Sequence, residues 1–231
     1  MLATASSSSR PAGALHDSAA EAARYALLRR LAPSIRHHLV VNLQPIGMIY
    51  EVMDRRLRAP QPDLANVHES AHKINGFARA ALNSCLDVVS WLAPDDTAVA
   101  TLADGTRECA SLLASSLSFR GYALRNEVGA VPGEVRRAAI RNLLTASLIF
   151  ATDELPPAAE LVLTAEAAEE GARLTLTVRP THGDKGFINE PGYRQLEWSD
   201  VQSLAQSEGA EVVRENEHCL SVLLPWAQAA A

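Results

Sequence analysis

Cysteine, aromatic rings, excess positive charge and long apolar runs are all scarce in this chain, and each shortage narrows what it can be. Its three cysteines, Cys85, Cys109 and Cys219, are odd in number and far apart, which argues against a disulfide framework and against a cysteine-based zinc site. No stretch is apolar for long enough to read as a membrane span, and the first fifteen residues lack the apolar core of a signal peptide. A net charge of −6 gives no reason to expect nucleic acid or an anionic membrane as a partner. A reducing, cytoplasmic location is the expectation that fits these absences. What remains is 231 residues, 48% hydrophobic and 21% charged, enough to bury the cores of two small domains.

Residues 1–15 are rich in Ser and Ala with Pro11 and Gly13, and are expected to be a disordered tail. A helical pattern starts at about His16, with Tyr25, Leu28, Leu31 and Ile35; Pro33 either opens a fresh helix or kinks a longer one. Leu39, Leu43, Ile46, Tyr50, Met53 and Leu57 then recur at alternating steps of four and three, the seam of a helix that packs in a bundle. His37 lies off this seam and should reach solvent. The helix should end near Arg58, ahead of the turn Ala59-Pro60-Gln61-Pro62-Asp63, whose last residue is a candidate N-cap.

A second helix is expected over Leu64 to Leu92, on the repeat Leu64, Val67, Ala71, Ile74, Ala78, Ala81, Cys85, Val88 and Leu92. Two such helices joined by a short loop form an antiparallel hairpin, and a hairpin alone leaves half its seam wet. Pairing two hairpins into a dimeric four-helix bundle removes the problem. His68 and His72 sit four apart on one helical face, a spacing that can hold a metal; no further ligand completes a set, so an ordinary solvated face and no metal are expected.

After residues 93–96 the texture changes to short strands alternating with helices, which marks a domain boundary. The expected order is a strand at Val99–Leu102, a helix at Gly105–Arg120, a strand at Tyr122–Val128 and a helix from Glu134 to about Thr152 opened by Val131-Pro132-Gly133. Paired strands at Glu160–Glu166 and Arg173–Arg179 follow, then a helix around Ser199–Ser207 and strands at Glu211–Arg214 and Cys219–Leu224. The fold class is therefore α+β, with a tail (1–15), a helical hairpin (16–93) and a domain of alternating strands and helices (97–226). Trp91, Trp198 and Trp226 read as core or interface aromatics.

The stretch Arg36-His37-His38-Leu39-Val40-Val41-Asn42-Leu43-Gln44-Pro45-Ile46 resembles the phosphoacceptor helix of two-component histidine kinases, which often reads H-D-F-N-N-L-L-Q-P-I or H-E-L-R-T-P-L. The resemblance implies His37 as phosphoacceptor, because the apolar family positions then fall on Leu39 and Leu43. His38 is the alternative register, with Asn42 four residues on. It also implies Arg36 as a neutraliser of phosphate charge and Gln44 and Met48 as contacts for a receiver domain.

The second half resembles, in layout, the histidine kinase ATP-binding domain, which implies an α/β sandwich over residues 97–226, with its chemical motifs worn away. Of the family's N-L-x-x-N-A, Asn142-Leu143-Leu144-Thr145-Ala146-Ser147 keeps the first Asn and has Ala146 for the magnesium-holding second. Asp184-Lys185-Gly186 is what stands nearest to D-x-G-x-G, and no glycine-rich phosphate box follows. His38 replaces the acidic residue after the histidine, and Val41 replaces the Asn or Thr that positions water. The resemblance thus implies a kinase-like histidine phosphotransferase: a homodimer without ATP or magnesium as cofactors, exchanging phosphoryl groups with response-regulator receivers, with an upstream histidine kinase as a further partner. The competing expectations are a non-catalytic pseudokinase scaffold and, third, an active kinase with an unusual nucleotide pocket.

Overall fold

A computed structural model describes residues 12–93, 95, 97–187 and 192–227, with side chains from residue 18 onward. The expectations for residues 1–11, for Pro94 and Asp96 at the boundary and for Glu190 and Pro191 lie outside the described residues. The architecture is α+β and divides into two compact units, one of residues 31–96 and one that joins the first 30 residues to residues 97–231.

The smaller unit is the helical hairpin. Helix α1 runs Ala12–Leu57 and α2 runs Leu64–Leu92. Asp63 caps α2 as expected, its carboxylate accepting from the Asn66 N–H at 3.2 Å. The two helices are antiparallel, because Asn42 bonds Ser84 at 3.0 Å while Arg56 bonds Asn66 at 3.3 Å, so partners further along one helix lie earlier on the other. Helix α1 passes through both Pro33 and Pro45, so neither proline starts a new helix. Its start at Ala12 also falls inside the segment expected to be a tail.

The seam inside the hairpin differs in part from the one read in the sequence. Ile35, Leu39, Asn42, Ile46, Ile49 and Met53 are among the half-buried positions of α1, and Val67, Ile74, Ala81, Val88 and Trp91 lie among the covered positions of α2. Leu43, Tyr50 and Leu57 are exposed instead, at 51%, 57% and 43%, and so are Leu64 and Leu92. The reason is geometric: a two-helix hairpin covers one stripe of each helix, while this sequence carries apolar residues on two.

The larger unit holds a five-stranded sheet in the order β2-β4-β5-β7-β6. Its strands are β2 (Tyr122–Asn126), β4 (Ala159–Ala167), β5 (Gly171–Pro180), β6 (Glu211–Asn216) and β7 (Cys219–Pro225), and only the β2–β4 pair is parallel. Along β5, Leu174, Leu176 and Val178 are buried while Arg173, Thr175 and Thr177 alternate with them on the open face. Helices α3 (Leu102–Phe119), α4 (Arg137–Glu154) and α5 (Trp198–Glu208) complete the unit.

One expected boundary is corrected here. Glu134–Arg136 is not the start of a helix but a short strand, β3, antiparallel to β1 (Val99–Thr101), and α4 begins at Arg137. Gly133, at φ +95°, turns the chain into that pairing, and Val135 is 1% exposed, so the ladder and its burial override local helical periodicity.

Helix α4 is buried from Ala138 to Thr152 except at the half-buried Asn142, the mark of a helix covered nearly all round. Residues 18–30 of α1 belong with this unit rather than with the hairpin. Arg24 reaches Glu208 at the end of α5, at 3.5 Å, and Arg30 holds Asp153 near the end of α4 with two bonds of 2.6 Å. Ala20, Ala23, Ala26 and Leu27 form the buried stripe between these anchors. Tyr193 packs edge-on to Tyr25 at 5.9 Å and lies under Arg29 at 5.4 Å.

Candidate functional site

His37 is exposed and His38 half-buried, with ring centroids 6.2 Å apart and nearly perpendicular. Helical geometry explains the difference. His38 falls between Ile35 and Asn42 on the covered stripe, whereas His37 is turned about 100° away from it. Asn42, the residue that lent weight to the His38 register, spends its amide inside the hairpin, on the His38 carbonyl at 3.2 Å and on Ser84 Oγ.

Four residues on from His37 comes Val41, then Gln44, Met48 and Val52, one continuous exposed helical face. Val41, Met48 and Val52 are 51%, 62% and 44% exposed, and Arg36 beside His37 is exposed as well. Pro45 has no N–H to return to the Val41 carbonyl, so that face also carries a carbonyl without its helical partner. On α2, the rings of His68 and His72 lie 4.4 Å apart on an exposed face, and no group of three potential metal-binding side chains forms among the described residues.

The residues that stand at the worn nucleotide motifs are committed elsewhere. Asn142 donates its amide to Glu208 Oε1 at 2.8 Å, and that buried carboxylate also holds Arg136 at 3.0 Å. Ala146 is 0% exposed, a core position rather than the wall of a cleft. Asp184 folds back to accept from the Gly186 N–H at 3.0 Å, and the Phe187 N–H donates to the Phe119 carbonyl at 2.9 Å. That loop therefore lies against the α3–β2 corner, where Arg120 bonds the Thr152 carbonyl at 2.8 Å. Asn142 and Thr152 are separated by ten residues of helix, about 15 Å at 1.5 Å per residue.

The first turn of α5 is likewise filled by the protein's own acid. Asp200 accepts from the Glu197 N–H at 2.9 Å and from both terminal nitrogens of Arg194 at 2.7 and 2.8 Å. Burial alone would raise this carboxyl, but the Arg194 hydrogen bonds, the Glu197 N–H and the Arg194 charge outweigh it and hold Asp200 below the usual aspartate value. Glu208 and the Arg30–Asp153 pair escaped the sequence reading because no local pattern marks them. Arg30 and Asp153 are 123 positions apart.

No protein-family model matches the chain, and no curated protein matches it. Among solved structures it is similar to the catalytic domain of histidine kinase ThkA, at 12% identity and a TM-score of 0.42 over 56% of this chain and 96% of that one. A bacterial phosphotransferase is similar over 86% of this chain and 95% of its own, at 14% identity and a TM-score of 0.41. Histidine kinase ThkA in complex with the response regulator TrrA is similar over 93% of this chain and 67% of that one, at 16% identity and a TM-score of 0.43.

Proposed function

We propose that the protein is a two-component relay component, an ATP-independent histidine phosphotransferase with His37 as the group that takes and returns the phosphoryl. The observation that carries this reading is the exposed His37 at the head of the open Val41-Gln44-Met48 face, on a chain whose Asn142, Ala146 and Asp200 are spent on internal contacts. A ring nitrogen of neutral His37 attacks the phosphorus of a receiver aspartyl phosphate. The N–P bond forms as the P–O bond to the aspartate breaks, the electron pair leaves with the carboxylate, and reversal returns the group. Arg36 supplies positive charge beside the transferring oxygens, and Gln44 and Met48 meet the receiver. The acidic pocket that activates the aspartyl phosphate belongs to the receiver, so the chain needs no nucleotide of its own.

A second copy of the chain completes the bundle. Leu43, Tyr50 and Leu57 of α1 and Leu82, Val89 and Leu92 of α2 are all more than two-fifths exposed, two apolar stripes on a hairpin that has no other use for them. An upstream histidine kinase, reached through the same receivers, is the further partner class.

Mixing the protein with a receiver labelled at its aspartyl phosphate tests the proposal. Label should move to the wild-type chain and to His38→Ala, and not to His37→Ala. Transfer to His37→Ala would assign His38. Binding of the receiver without transfer to any variant would leave a scaffold, and label taken directly from ATP with magnesium would overturn the ATP-independent reading.

A further inference from the structure

Helix α2 carries His68 and His72 one turn apart on one exposed face, with ring centroids separated by 4.4 Å and ring planes inclined at 76°. The other histidine pair is arranged differently. His37 and His38 are neighbours in sequence, so their side chains diverge by about 100° around α1, and their centroids are 6.2 Å apart. An imidazole nitrogen binds a borderline divalent ion such as zinc, nickel or copper at about 2.0–2.1 Å, which puts the ring centre about 3.2 Å from the metal. Two rings sharing one ion at a right angle then have centres about 4.5 Å apart, close to the spacing that α2 presents.

The surroundings suit a hydrated cation. Leu64, Ala65, Asn75 and Gly76, which continue the same face a turn to either side, bring no charge, and a Cβ on Gly76 would meet nothing within 4 Å. Lys73, next to His72 in sequence, has its ammonium held by Glu69 at 2.7 Å. Two imidazoles do not close a coordination shell, and among the described residues no third metal-binding side chain joins them. An open chelate needs none, since water fills the remaining positions of an exposed site.

We propose that His68 and His72 form an open, exchangeable two-nitrogen site for a borderline divalent transition ion, with copper(II) held most tightly, and that the ion ties successive turns of α2 together. Helix formation is cooperative, so a link across one turn steadies the first half of α2 as a whole. Asn66, just before this pair, bonds Arg56, which lies roughly 28 Å along α1 from His37 at 1.5 Å per residue. The site is therefore separate from His37 and uses none of the residues assigned to phosphoryl transfer.

Copper(II) chloride and zinc chloride, titrated separately into the full chain by calorimetry, test the proposal. One ion per chain is expected, with a dissociation constant on the order of micromolar for copper and a weaker one for zinc. The copper EPR spectrum should show coupling to two imidazole nitrogens, and excess metal should raise the thermal midpoint by several degrees. His68→Ala and His72→Ala, both at exposed positions, should each weaken binding at least about tenfold and abolish that rise. His72→Ala combined with Lys73→His keeps two imidazoles but turns the second about 140° from His68, and should bind no better than His72→Ala. No binding up to millimolar metal, wild-type affinity in either single variant, or full affinity in the relocated pair would overturn the proposal. So would a wild-type copper spectrum with one nitrogen instead of two, a reading that does not depend on any variant folding.

Discussion

Arg30 of α1 grips Asp153 of α4 through two hydrogen bonds of 2.6 Å, with 7% and 3% of the two side chains exposed. Asp153 also accepts from the Leu196 N–H at 3.1 Å, so one carboxylate joins α1, α4 and the approach to α5. A buried pair of this kind contributes little over an apolar pair of equal volume but is costly to half-remove. Arg30→Ala should lower the unfolding free energy by about 3–5 kcal/mol in urea titrations. Arg30→Met combined with Asp153→Leu should recover only a small part of that loss, because Asp153→Leu also takes the acceptor from the Leu196 N–H and from Arg120, and a double variant as stable as wild type would contradict this account.

Ala146→Asn restores the side chain that the resembled motif carries, but into a fully buried position. Overpacking and an added buried amide should destabilise the protein by about 1–3 kcal/mol. Equilibrium dialysis with labelled ATP and magnesium should show no gain in binding, because Asn142 stays tied to Glu208 and the Asp184 loop lies at the other end of α4.

Acid should act on the α5 start in a definite direction. The folded-state value of Asp200 is depressed, so its contribution to stability is complete above the unfolded aspartate value and is lost as pH falls through the folded one. Thermal melts across the acid range should show Asp200→Asn less stable than wild type near neutrality, with the gap closing below roughly pH 4. A gap that widened toward acid would show that the Arg194 pairing has been given the wrong role.

Leu82→Glu with Val89→Glu places charge on the open α2 stripe without touching the covered one. Sedimentation equilibrium should show the dimer dissociation constant raised by roughly a hundredfold or more at unchanged helicity. If wild type and variant both sediment as monomers, the stripe needs another occupant.

Where residue neighbours in sequence were also neighbours in space, the chain was legible. The α2 boundaries, its Asp63 cap and the β4–β5 hairpin followed from periodicity and turn chemistry. Illegible parts were decided by distant partners. Glu134–Arg136 looked helical until β1 offered a ladder, and Leu43, Tyr50 and Leu57 looked like seam because apolar spacing does not say which of two stripes meets the intramolecular partner. The exposed His37 followed from its angle to Leu39, whereas the engagement of Asn142 by Glu208 depends on a residue 66 positions away.

The two-faced alternation along β5 has a consequence for how the hairpin closes. Nine residue pairs, from Ala159–Pro180 to Ala167–Ala172, zip in one alignment. Sliding β5 by a single position would swing Leu174, Leu176 and Val178 to the open face and drive Arg173, Thr175 and Thr177 under the helices. Misaligned closures are thus penalised along the whole ribbon at once, which makes this hairpin a self-correcting template on which the remaining strands can assemble.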